Sequence, residues 1–107
     1  MQRHDNPYNL FPKEKFYVRM IHCAPGMKVR MMEGKEVILD KKKDCDNSKY
    51  LSILEVRPRL SNGEVDWDAP VLQVRAKCAA GDTPSRSTAR SILRMKAQAA
   101  AEVLGWL

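Results

Sequence analysis

The sequence predicts an α+β fold in which an antiparallel sheet of three to five strands packs against one long C-terminal helix. Three observations lead there. Between positions 50 and 79 apolar residues alternate with polar ones, as in strands with one buried face. After Gly81 the spacing becomes helical, and neither Pro nor Gly occurs between Pro84 and Gly105. The length, 107 residues, is that of one domain, enough to bury roughly 65% of the surface of the unfolded chain.

Residues 1–12 are polar and contain Pro7 and Pro12, which predicts an irregular lead-in before a single domain over 13–107. The segment 13–24 supports two periods. Phe16, Tyr17, Met20, Ile21 and Ala24 fall at helical spacing, while Phe16, Val18, Met20 and His22 alternate as in a strand. Both assignments stay open there. After Pro25-Gly26, residues 27–32 and 35–40 flank Glu33-Gly34, which predicts a hairpin closed by a two-residue type I′ turn. Residues 40–49 lack large apolar groups and predict an exposed loop.

Segment 50–60 is apolar on both faces near its start, the pattern of a central strand, and Pro58 marks its weakening edge. Ser61-Asn62-Gly63 predicts a turn. In 71–79, Leu72, Val74, Ala76 and Cys78 face inward and Gln73, Arg75 and Lys77 outward. Thr83-Pro84 supplies a capping hydroxyl and a proline at the first helical position. A helix of about 20 residues follows, with Ala89, Leu93, Ala97, Ala100, Leu104 and Leu107 on one stripe. Ile92, Ala99, Val103 and Trp106 widen it.

Lys and Arg number 19 against 13 Asp and Glu, a net charge of +6 that favours anionic partners. The surplus is local. Residues 75–96 hold Arg75, Lys77, Arg86, Arg90, Arg94 and Lys96 against Asp82 alone. Arg86, Arg90 and Arg94 recur every four residues and so line one flank of the helix, without the interleaved acids of a solubility face. Arg75 and Lys77 point together from the preceding strand, and the helix N-terminus adds free amide donors suited to phosphates. Lys96 lies within the apolar arc, either snorkelling to the sheet edge or aimed as a functional cation.

Other chemistry has little support. Three cysteines without a CxxC pair indicate neither a disulfide framework nor a zinc site, and a reducing compartment is the simplest reading. His22 and Cys23 are neighbours in sequence, so in a strand their side chains point to opposite faces and cannot act as base and nucleophile. No phosphate loop or calcium loop is present, so neither catalysis nor a cofactor is expected. Glu64, Asp66 and Asp68 around Trp67 read as a solvated acidic turn or as a docking site for a basic partner. The apolar runs are too short to span a bilayer, so no membrane association and a cytoplasmic location are expected.

Ser85-Arg86-Ser87-Thr88-Ala89-Arg90, following a polar strand and Gly81, resembles the start of the last helix of the double-stranded RNA-binding domain. A second register, Lys96 with Ala99-Ala100-Ala101 and Leu104, matches the alanine-rich end of the same motif. The resemblance implies a helix, three antiparallel strands and a helix. The strands would fall at 35–40, 50–60 and 70–79, with the first helix at 13–24 and 27–32 as an extra strand. The loop Lys41-Lys42-Lys43 would occupy the place of the family's Gly-Pro-x-His loop.

By that resemblance the chain would read A-form RNA by shape over about 16 base pairs. Arg86, Ser87, Arg90, Arg94, Lys96, Arg75, Lys77 and Lys41 to Lys43 would form the nucleic-acid-binding set. A small domain of this kind also resembles stand-alone viral proteins that hide duplex RNA from silencing, which would put it in host cytoplasm. The alternative class is a protein-binding module, homodimer or inhibitor on the same fold.

Overall fold

The computed structural model describes residues 7–45, 50–78 and 86–107. The fold is α+β, as the patterning predicts. Its elements are α1 (Pro7–Leu10), β1 (Phe16–Cys23), β2 (Lys28–Arg30), β3 (Glu36–Ile38), β4 (Tyr50–Pro58), β5 (Leu72–Cys78) and α2 (Arg86–Leu104). The strands form an antiparallel sheet in the order β1-β4-β5 and a separate β2-β3 hairpin.

Segment 13–24 resolves as strand. The register pairs Phe16 with Pro58 and Cys23 with Leu51, so every residue of β1 has a partner on β4. Long-range pairing decides between two periods that the local sequence leaves equal. The helix-strand-strand-strand-helix order is therefore compatible with the resemblance, but its three strands are β1, β4 and β5. The first is not at 35–40, and α1, rather than 13–24, is the helical piece before it. The β2-β3 hairpin is inserted between the first two sheet strands.

The lead-in is less irregular than predicted. One helical turn, Pro7–Leu10, precedes Phe11, which is fully buried and meets Phe16 edge-on with ring centroids 5.3 Å apart. Phe16 in turn lies 5.8 Å from the Trp106 ring. An aromatic cluster thus joins the N-terminal segment, the start of β1 and the end of α2, an arrangement that local polarity does not reveal.

The hairpin turn is also corrected. Gly34 has the expected positive φ of 90°, but Gly34 N–H bonds Met31 O at 2.9 Å and Met31 N–H bonds Lys35 O at 2.8 Å. The loop is thus three residues, Met32 to Gly34, ending on a left-handed glycine, rather than a two-residue type I′ turn. Ser61-Asn62-Gly63 repeats the device, with Gly63 N–H to Leu60 O at 2.9 Å and φ of 89°.

β4 is central, as its two-sided apolar pattern predicts, and is buried from Leu51 through Arg57. One sheet face carries Phe16, Leu54, Val56, Leu72 and Ala76 against Leu93, Ala97 and Ala101 of α2. The opposite face carries Cys23, Leu51 and Ile53 against Val29, Met31 and Leu39 of the hairpin region. Helix, sheet and hairpin therefore form three layers around two apolar cores.

The stripe on α2 is rotated from the predicted one. Leu93, Ala97 and Ala101 are fully buried, whereas Val103 is 88% exposed and Leu104 41%. A row at i, i+4, i+8 containing two alanines allows the backbone to lie close to the sheet, so the smallest residues define the contact line. Thr83-Pro84 and Gly81 lie outside the described residues.

Candidate nucleic-acid interface

Antiparallel pairing fixes which connections meet. Cys23 at the end of β1 faces Leu51 near the start of β4, and Cys78 at the end of β5 faces Tyr50. The β1-to-β4 connection, which holds Lys41 to Lys43, therefore lies at the sheet end where β5 finishes. Trp106 packs on Phe16 at the opposite end, so α2 starts on the Cys78 side. Lys41 to Lys43, Lys77 and the beginning of α2 thus share one end of the molecule.

The lysine turn is rigidly built. Asp40 O accepts from Asp44 N–H at 3.0 Å and Cys45 N–H at 3.1 Å, closing a single helical turn. Asp40 Oδ1 accepts Lys42 N–H at 2.9 Å and Lys43 N–H at 2.6 Å, and Asp44 Oδ2 accepts Asp40 N–H at 2.8 Å. Reciprocal capping fixes the backbone while Lys41, Lys42 and Lys43 stay exposed. The predicted exposed loop is accordingly half right over its described part, because Cys45 is fully buried beneath the turn. Residues 46–49 lie outside the described residues.

The helix arginines divide from the strand cations. β5 alternates, so Arg75 and Lys77 point to the hairpin face while Leu72 and Ala76 meet α2. They cannot continue the strip on the helix flank, because the sheet stands between them. α2 begins at Arg86, but the side chains of Arg86 and Ser87 lie outside the described residues. Arg90 and Arg94 are half-buried rather than freely displayed. Arg94 Nη1 donates to Gln98 Oε1 at 3.4 Å, and its Nε is buried without a hydrogen-bond partner among the described residues. The rotation of the buried stripe toward Ala101 is the cause, since it carries the 90–94 flank inward.

Lys96 is used by the fold. Its Nζ donates to Arg75 O on the outer edge of β5 at 2.7 Å, the snorkelling alternative. The edge strand gains a partner and α2 a tether. Lys96 also lies across the buried row from Arg94, on the other flank of the helix.

Sequence spacing gave no hint of a polar centre on the hairpin face. Glu55 is 1% exposed. Its Oε2 accepts Met32 N–H at 3.1 Å and Gln73 Nε2–H at 3.2 Å, and Arg19 Nη1 lies 3.6 Å from Oε1. Arg19 also donates to Arg30 O. One buried carboxylate therefore receives the turn of the hairpin and holds it on the sheet. Beside it, Arg75 Nε and Nη2 donate to Gln73 Oε1 at 3.3 Å, which fixes the guanidinium at the β5 edge.

The opposite sheet end is acidic and aromatic. Trp67 is 58% exposed in the Glu64, Asp66 and Asp68 turn. The Arg57 guanidinium stacks 5.1 Å from the Trp67 ring centroid and donates to Trp67 O at 2.9 Å and Ala69 O at 2.7 Å. Arg59 donates to Lys13 O and Gly63 O, both at 3.0 Å. These two cations are spent on holding the turn.

Cys23 and Cys45 are free thiols in the hairpin-side core. Burial pushes both thiols above the ordinary range, and the nearby Arg75 works weakly against that rise. Among the described residues no helix is long and apolar enough to cross a membrane. No family model matches the chain, and neither does any curated protein or solved structure.

Proposed function

We propose that this protein binds double-stranded RNA, without catalysis, through the sheet end formed by the Lys41 to Lys43 turn and the start of α2. The observation that carries the reading is their convergence: the exposed lysine turn and the start of α2, far apart in sequence, lie at one sheet end. A duplex presents phosphates on two strands across a groove; the exposed lysines would meet one strand and the start of α2 the other. Shape and phosphate contacts carry no base code, so binding is tolerant of sequence. A duplex so covered would be shielded from duplex-cleaving nucleases, which is how such a protein would blunt RNA silencing in a host cytoplasm.

The test is a mobility-shift titration with duplex RNA of about 20 base pairs, duplex DNA of the same sequence and single-stranded RNA. Preference for duplex RNA is expected; equal affinity for all three, or none at any salt, overturns the reading. The exposed lysines give the clean variant, since Arg90 and Arg94 are half-buried and their replacement disturbs packing. Lys41→Glu, Lys42→Glu and Lys43→Glu together should abolish the shift while leaving the circular dichroism spectrum intact.

A second reading, a protein-binding module, is favoured by the exposed Trp67 among carboxylates at the other sheet end. Pull-down of a partner that survives nuclease treatment and fails with Trp67→Ala would establish it.

A further inference from the structure

Of the two edges of the β1-β4-β5 sheet, one is guarded and the other is open. We propose that the open edge, β1, pairs with β1 of a second copy of this chain, antiparallel and with Met20 opposite Met20, to give one continuous sheet of six strands. The inference is independent of the duplex-binding reading, because it uses neither the lysine turn nor the start of α2.

The hydrogen-bond register decides which backbone groups face outward. Arg59 N–H bonds Lys15 O at 2.8 Å, and Phe16 N–H turns back to Pro12 O at 2.9 Å. Bonded residues alternate along an antiparallel pair, so Tyr17, Arg19 and Ile21 direct their backbone groups to β4. Val18 and Met20 therefore turn N–H and C=O away from the sheet. No backbone group among the described residues meets them there. The same alternation on β5 turns Arg75 outward, and that edge is closed, because Lys96 Nζ caps Arg75 O at 2.7 Å. Sheet edges are normally blunted by lysine, proline, a bulge or short length. β1 has none of these over its eight residues, which pair with β4 without interruption.

Charge and shape fit this edge to a copy of itself. A two-fold axis at Met20 sets Arg19 against Ile21, and Val18 against His22, of the second copy, so no like charges stand directly opposite. Arg19 is already drawn to Glu55 at 3.6 Å. Opposed side chains of an antiparallel pair share a face, so the two copies join core to core. Val18 and Met20 are half-buried at the margin of the helix-side core, and α2 lies over β4 and β5 rather than over β1. Val18 and Met20 of the second copy continue that apolar face across the seam, so side chains and backbone are covered together. One strand pair is a small interface, under about 1,200 Å², which places association in the micromolar range.

The experiment is sedimentation of the full chain over a concentration series from about 1 μM to about 1 mM. The weight-average mass should climb from 12.2 kDa toward twice that value. Met20→Pro deletes the outward N–H at the axis and leaves the β1-β4 hydrogen bonds in place, so it should hold the chain monomeric with an unchanged circular dichroism spectrum. Val103→Glu, on the exposed outer face of α2, should dimerise like wild type. Amide exchange reads the same edge in the unaltered chain. Exchange of Val18 and Met20 should slow about tenfold from dilute to concentrated solution, while Tyr17 and Arg19, bonded to β4 throughout, should stay constant. A monomer at every concentration overturns the proposal. So does a dimer that survives Met20→Pro, one that Val103→Glu dissolves, or one whose formation leaves the exchange of Val18 and Met20 unchanged.

Discussion

Glu55 is the one buried carboxylate among the described residues, and three elements depend on it. Removing it leaves the buried Met32 N–H without its acceptor and frees the Gln73 amide. Glu55→Ala should cost about 2 kcal/mol, the usual penalty for orphaning buried donors, and Glu55→Gln should cost less because its carbonyl still accepts. Urea denaturation of the two variants checks the ranking; equal losses would mean that the hairpin is held by apolar contacts alone. The two buried thiols make a prediction of opposite kind. Burial raises the proton affinity of Cys23 and Cys45 in the folded state. Their contribution is thus fully present below the unfolded thiol value, about pH 8.5, and is lost as the pH rises through the folded value. The stability of wild type should fall more steeply with rising pH above about pH 8.5 than that of Cys23→Ala/Cys45→Ala. Parallel curves would contradict it.

At the level of elements, α2 seats on the sheet through Ala97 and Ala101, both fully buried. Small residues there set the distance between layers, so a larger side chain must push the helix outward. Ala97→Leu should destabilise by about 1 to 3 kcal/mol, the cost of overpacking, while Ala99→Leu on the exposed side should be near neutral. Thermal melts of the pair decide it, and similar melting temperatures would displace the contact row. The same helix shows how far sequence pattern reaches. Its length and amphipathic character follow from spacing and the absence of breakers, as do the centrality of β4 and the alternation of β5. The exact buried row does not, because apolar residues cover more than half the wheel and only the sheet selects among them. β1 is undetermined locally, since helical and strand periods coincide in 13–24 until β4 pairs with it. Phe11 is hidden in a polar lead-in for a related reason: its burial depends on Phe16 and Trp106 arriving from far along the chain. For the interface, spacing identifies the cations but not their faces. Arg75 and Lys77 fall behind the sheet from α2, and Lys96 is taken by a strand edge.

Across the whole molecule, the densest run of exposed lysines lies at one sheet end rather than on the helix flank. Lys41, Lys42, Lys43 and Lys77 lie where β5 finishes and α2 begins, with Asp40 and Asp44 in the same turn, whereas at the other end Glu64, Asp66, Asp68 and Glu102 stand among Arg57, Arg59, Lys13 and Lys15. Lys13 and Lys15 are exposed at that other end, where Arg59 bonds the backbone of both. If the proposed duplex sits on the lysine-rich end, counterion release makes that choice of end measurable. Each phosphate neutralised contributes about 0.9 to the slope of log affinity against log salt for a double helix. Replacing Lys41, Lys42 and Lys43 by alanine should therefore flatten that slope by about 2 to 3 for duplex RNA if each lysine meets a phosphate. Lys13→Ala/Lys15→Ala removes charge from the far end and should leave the slope unchanged, although both variants reduce the net charge. Titrations of the two variants at a series of potassium chloride concentrations separate a bound end from diffuse attraction. Slopes lowered in proportion to the charge removed, whatever its position, would mean that +6 acts as a whole and that no end of the sheet is preferred.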